Sequence, residues 1–85
     1  MEIPQSELEA VKKRISRAQG QLGGILRMLE EGRECTDVLT QLSAAQSAIS
    51  RAGFSLITTG IAHCSQDEQG KEDLRKLEKA FLSLS

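Results

Sequence analysis

A chain of 85 residues with two phenylalanines, one proline and neither tryptophan nor tyrosine has little material for a sheet, and it is expected to form one domain over residues 1–85. A domain of this size buries only about 60 to 65% of its unfolded surface, so assembly is the natural source of further core. A formal charge of -1 is unpromising for a nucleic-acid binder, two cysteines argue against a disulfide scaffold, and no apolar run nears the roughly 20 residues that span a bilayer, leaving a cytoplasmic all-α protein as the expectation.

In chain order, Ser6 and Glu9 make a capping-box pattern ahead of Leu8, Val11, Ile15, Ala18, Leu22, Ile25 and Leu29, which alternate at spacings of three and four. The spacing predicts a first helix with a heptad seam. Gly20, Gly23 and Gly24 lie within it and are expected to mark close approach by a neighbouring helix. Glu31-Gly32 supplies the stop, with Gly32 as the residue just beyond the cap. A second helix is expected from around 35–37, with Thr36 or Asp37 as N-cap, carrying Val38, Leu42, Ala45, Ile49, Ala52 and Leu56 toward the first. Leu39, Phe54, Ile57 and Ile61 fall off that seam, an apolar excess that argues for a partner chain. Residues 66–70 read as a polar connection. Residues 71–84 read as a third helix, with Leu74, Leu77, Phe81 and Leu84 packing against the other two.

Charge is unevenly spread. Between Ala10 and Leu29 the bases Lys12, Lys13, Arg14, Arg17 and Arg27 stand without an acid, whereas acids gather at Glu30, Glu31, Glu34 and Asp37 and again from Asp67 to Asp73. An oligomer repeating the basic stripe on one face could meet a polyanion despite the overall charge. A solvated helix face is the plainer reading of the same residues.

The two cysteines are the chemistry-bearing residues. If one helix joins Cys35 to Cys64, their α-carbons are separated by roughly 43 Å, against the roughly 7 Å that a disulfide tolerates. An intrachain bond is then out of reach. An antiparallel pairing of two such helices about a two-fold axis would instead bring Cys35 of one chain to Cys64 of the other, twice per dimer. Both residues could equally be small buried hydrophobes. Against this, Cys35 lies at a helix N-terminus, an environment typical of reactive cysteines, and Cys64 lies in a polar stretch. His63 is adjacent to Cys64 and, on a helix, would point about 100° away, so it reads as a surface or supporting residue and not as a ligand. Gly60, one turn before Cys64, offers no side chain.

Three stretches carry a family resemblance. They are Arg14-Ile-Ser-Arg17-Ala-Gln-Gly20-Gln21-Leu-Gly-Gly24-Ile25, the run from Met28 through Cys35, Asp37, Gln41, Ala44 and Gln46 to Ala48, and the late Cys64. Together they make the chain similar to the CsoR family of bacterial repressors over nearly its whole length. The resemblance implies a three-helix protomer, an antiparallel four-helix-bundle dimer, and a dimer of dimers that binds operator DNA without a helix-turn-helix. It implies Arg14 and Arg51 as operator contacts, flanked by Lys13 and Arg17. Copper-sensing members use a Cys at the position of Cys35 and a His and a Cys four residues apart, which fall here on Gly60 and Cys64. The middle ligand is therefore missing. A common Tyr is Glu34 here, a usual Arg is Gly23, and the N-terminal features of nickel- and formaldehyde-sensing members are replaced by Ile3 and an internal Pro4.

Two cysteines without the histidine resemble the CstR branch, which senses persulfides and other reactive sulfur species. The resemblance implies a persulfide or polysulfide inducer, Cys35 as attacking thiolate and Cys64 of the partner as resolving thiol, with no metal and no cofactor. A repressor responsive to Cu(I) is the alternative, because two thiolates can hold this soft ion linearly. A thiol enzyme or sulfur carrier would need an acid, base or oxyanion constellation that the sequence does not offer, so no enzyme is expected. A plain helical interaction module would bind no operator.

Overall fold

A computed structural model describes residues 2–84. It contains three α-helices, α1 (Glu9–Glu30), α2 (Cys35–Ala62) and α3 (Glu68–Leu84), preceded by a single 3-10 turn over Gln5–Glu7. Among the described residues there is no strand, and no helix is long and apolar enough to cross a membrane.

The capping box does not form. Pro4, at φ -57°, leads the chain into the 3-10 turn, in which Glu7 N donates to Pro4 O and Leu8 N to Gln5 O. Ser6 is consumed by that turn, and Leu8 becomes the N-cap of α1 with no side-chain capping bond. The other end follows the expectation. Gly32 adopts φ 69°, its N-H donates to Leu29 O, and Arg33 N donates to Met28 O, which closes a Schellman motif and turns the chain. Glu34, extended at ψ 134°, is the N-cap of α2 in place of Thr36 or Asp37, and Asp37 falls in the first turn.

The heptad seam divides in two. Val11, Ala18 and Ile25 of α1 and Val38, Ala45 and Ala52 of α2, each seven residues apart, are buried between the two antiparallel helices. The residues that alternate with them stay open: Ile15 is 47% exposed, Leu22 43%, Leu42 42% and Ile49 42%. Alanines in the buried row let the two backbones come close, whereas the large side chains of the other row project from the hairpin. The glycines expected to mark close approach do not do so. A methyl group on Gly20 would meet nothing within 4 Å, and one on Gly23 or Gly24 would meet only the Arg27 guanidinium, at 3.9 and 3.7 Å.

Helix α3 starts at Glu68, inside the stretch read as a connection. Asp67 caps it, its carboxylate accepting from Gly70 N at 3.0 Å while its carbonyl accepts from Lys71 N at 3.1 Å. Gly70 is required there: a β-carbon would sit 1.7 Å from the Ser65 carbonyl oxygen. From this start α3 returns along the second half of α2, and Phe81 meets Phe54 with ring centroids 5.3 Å apart. Phe54, Ile57 and Ile61, assigned from sequence to a partner chain, are thus covered in part by α3 of the same chain. The α-carbon envelope measures 55 × 26 × 13 Å, a slab one helix thick.

Candidate functional site

Two places gather the residues singled out from sequence. The first lies on the flat of the hairpin. Arg14, Arg17 and Gln21, spaced by three and four, share one stripe of α1, and Ala44, Ser47, Ala48 and Arg51 share the facing stripe of α2. They line a cleft of about 350 Å³. The small side chains of Ala44, Ser47 and Ala48 leave room for the long ones, and Arg14, Arg17 and Arg51 remain exposed around it. The ion pairs between described residues include Lys12 with Glu9, Arg33 with Glu31, Lys71 with Glu68, Arg75 with Glu72 and His63 with Glu7, and none of these neutralises the three guanidiniums. A shallow polar surface of Ser43, Gln46, Ser47 and Ser50 continues from Arg51. Lys13 is exposed on α1 but does not line the cleft.

The sequence reading found the arginines and missed Gln21 and Ser47. Gln21 stands one turn beyond Arg17 and Ser47 one turn before Arg51, so the four-residue spacing was the available signal.

The second place is the pair of helix ends that carry the thiols. Helix α2 runs without a break through Gly53 and Gly60, with Cys35 as its exposed first residue. Cys64 is half-buried two residues past the last helical residue; its thiol donates to Gly60 O at 3.4 Å and its N-H to Ile61 O at 3.1 Å. The two thiols of one protomer therefore lie at opposite ends of a helix roughly 40 Å long, and no disulfide joins them. Gly60 is buried and brings no donor. His63 is not on the helix but caps it, and its Nε2 meets the Glu7 carboxylate. Among the described residues no three His, Cys, Asp or Glu side chains are grouped to hold a metal ion.

A family model described as "Metal-sensitive transcriptional repressor" matches residues 7–83. The chain belongs to this family of transcriptional repressors. It is 46% identical to the copper-sensing transcriptional repressor RicR of Mycobacterium tuberculosis over 61% of its length and 54% of that protein's. It is 36% identical to the copper-sensing transcriptional repressor CsoR of Bacillus subtilis over 72% of its length and 60% of that protein's, so the match spans little more than half of either relative. The crystal structure of the copper-sensing repressor CsoR with Cu(I) from Geobacillus thermodenitrificans superposes with a TM-score of 0.81 at 30% identity, covering 98% of this chain and 91% of that one. The three-helix, all-α architecture expected from sequence is thus the family's. These relatives carry copper-sensing names, which do not single out the persulfide-sensing branch.

Proposed function

We propose that the protein is a transcriptional repressor that binds operator DNA through the face formed by Arg14, Arg17 and Arg51, with Lys13 beside it, and lets go when Cys35 of one protomer is joined to the partner's Cys64. The observation that carries the reading is the cleft itself: three uncompensated guanidiniums from two helices, with serine hydroxyls next to them, suit phosphate oxygens. A homodimer, doubling to a homotetramer, would repeat the face and offset the net charge of -1. The slab's open apolar row is the surface on which a second copy would pack.

Cu(I) is the joining agent that the relatives' names favour. Cys35 of one protomer and Cys64 of the other would hold that soft ion through their thiolates, Gly60 offering no further donor. That same lack of a third donor supports a second reading, in which the inducer is a persulfide R-S-SH. The Cys35 thiolate attacks its outer sulfur, the S-S bond breaks, and R-S⁻ departs while the proton stays on the transferred sulfur. The partner's Cys64 thiolate then attacks the Cys35 sulfur, forming a disulfide and expelling hydrosulfide. The two thiols are oxidised and the transferred sulfur is reduced. Either agent would tie the start of one α2 to the end of another and bias the assembly toward a form that fits the operator poorly.

Gel shifts on DNA upstream of the protein's own gene test the repressor reading. Arg14→Ala and Arg51→Ala should each weaken binding by about tenfold or more at matched salt with the sedimentation coefficient unchanged. Unaltered affinity in both would sink it. Intact mass spectrometry after separate treatment with Cu(I), polysulfide and peroxide identifies the agent, by a metal adduct or by a covalent dimer and its sulfur increment. Cys35→Ala should repress but fail to respond, and release of DNA by that variant would overturn the role of the thiols.

A further inference from the structure

One polar atom in the arginine cleft is not accounted for. The side-chain oxygen of Gln21 is buried and has no hydrogen-bond partner, although the residue lines a cleft edged by three guanidiniums. A buried carbonyl left unpaired is destabilising, and an apolar side chain of the same shape would remove the penalty. Glutamine at this position is therefore a poor choice for the isolated protomer. Its chemistry suits the cleft when an anion is present.

A guanidinium has five N-H donors and a phosphate accepts two of them in a bidentate pair, so an arginine drawn down onto a phosphate still needs acceptors for the rest. Side chains on a helix lean toward its N-terminus, which sets the Gln21 amide over the turn that carries Arg17, four residues earlier. Arg14, Arg17 and Arg51 are exposed around the cleft. With a backbone phosphate in place, the Arg17 guanidinium can enter, grip the phosphate with one edge and donate to the Gln21 oxygen with another.

We propose that Gln21 is a positioning residue for DNA binding, its buried oxygen receiving the Arg17 guanidinium when a DNA phosphate occupies the cleft between α1 and α2. The proposal rests on the assignment of Arg14, Arg17 and Arg51 to DNA contact. It adds that part of the recognition is made by an uncharged group that never touches the phosphate.

The test is a double-mutant cycle on the full chain with operator DNA at fixed salt. Gln21→Met keeps length and helix propensity and removes the acceptor; it should weaken binding about tenfold, the loss of one hydrogen bond to a charged group. Its thermal midpoint should be equal to or higher than that of the parent. In the Arg17→Ala background the same change should cost nothing further, because the group it positions is gone. Losses that simply add, or a Gln21→Met protein that binds like the parent, would overturn the proposal. If instead Arg14→Ala and Arg51→Ala leave affinity unchanged, the DNA face itself is misassigned, a failure distinguishable from additivity. A folding defect is recognised separately, by a lowered thermal midpoint.

Discussion

His63, which ends α2, pairs with Glu7 in the 3-10 turn ahead of α1, so the residue next to Cys64 is tied to the start of the helix that carries Arg14 and Arg17. The two groups are 29% and 48% exposed, and water screens them. Glu7→Ala should therefore change global stability in urea by no more than about 1 kcal/mol. Its larger effect should be local: hydrogen exchange at the amides of Leu8 and Lys12, which bond to Gln5 O and Leu8 O, should speed up while that of Val38 to Ala52 stays slow. Uniform acceleration along the chain would show that the pair supports the whole fold and not its first turn.

Gly70 and Gly20 should respond oppositely to alanine. At Gly70 the new methyl would meet the backbone of Ser65 at 1.7 Å to its oxygen, and the turn into α3 would have to be rebuilt, at about 1 to 3 kcal/mol. At Gly20 it meets nothing, so Gly20→Ala should stabilise by about 0.5 to 1 kcal/mol through helix propensity alone. Urea midpoints moving in the same direction for both variants would contradict the packing described.

Neither glycine's role was legible in the sequence. Heptad spacing located α1 and α2, because burial at every third or fourth residue imprints directly on the pattern, and Gly32 marked the stop of α1. It could not tell which half of the seam faces inward. That depends on Ala18, Ala45 and Ala52 setting a close interhelical distance, a property of two helices together. The helix starts were misread for a local reason: Ser6 and Asp37 have the chemistry of caps, but Pro4 commits Ser6 to a tighter turn and the extended Glu34 takes the capping position ahead of Asp37. At the candidate DNA face the arginines stood out as charge without counter-charge. Gln21 did not, because an unpaired oxygen becomes visible only when the facing helix buries it.

Asp67 links the fold to pH. Its carboxyl is held below the ordinary value of 3.8, first by the Ser65 hydroxyl and then by the Gly70 amide, both of which bond the ionised form. A carboxylate whose value is lower folded than unfolded contributes stability that is fully present above the unfolded value and is lost as pH falls through the folded one. Asp67→Asn keeps an acceptor for the Gly70 amide but cannot titrate. Its stability in urea should decline less steeply than the parent's as pH is lowered below about 4. A slope identical to the parent's would assign the acid sensitivity elsewhere, Glu72 with its Arg75 partner being another depressed carboxyl.

The open apolar row makes the last prediction. Ile15, Leu22, Leu42 and Ile49 repeat along one side of the hairpin and stay 42 to 47% exposed, with Ser83 and Leu84 at the end of α3 edging the same surface. Burying a leucine or isoleucine stabilises by about 1.5 to 3 kcal/mol, and a two-fold axis counts every such residue twice. Leu22→Lys and Ile49→Lys should each reduce the sedimenting species to a monomer while far-UV circular dichroism still reports helix at low temperature. Ala52→Lys, at a position only 1% exposed within the hairpin, should unfold the chain instead. If Leu22→Lys and Ile49→Lys both sediment like the parent, the row lies outside the protomer interface, and the pairing of Cys35 with the partner's Cys64 loses the antiparallel geometry it depends on.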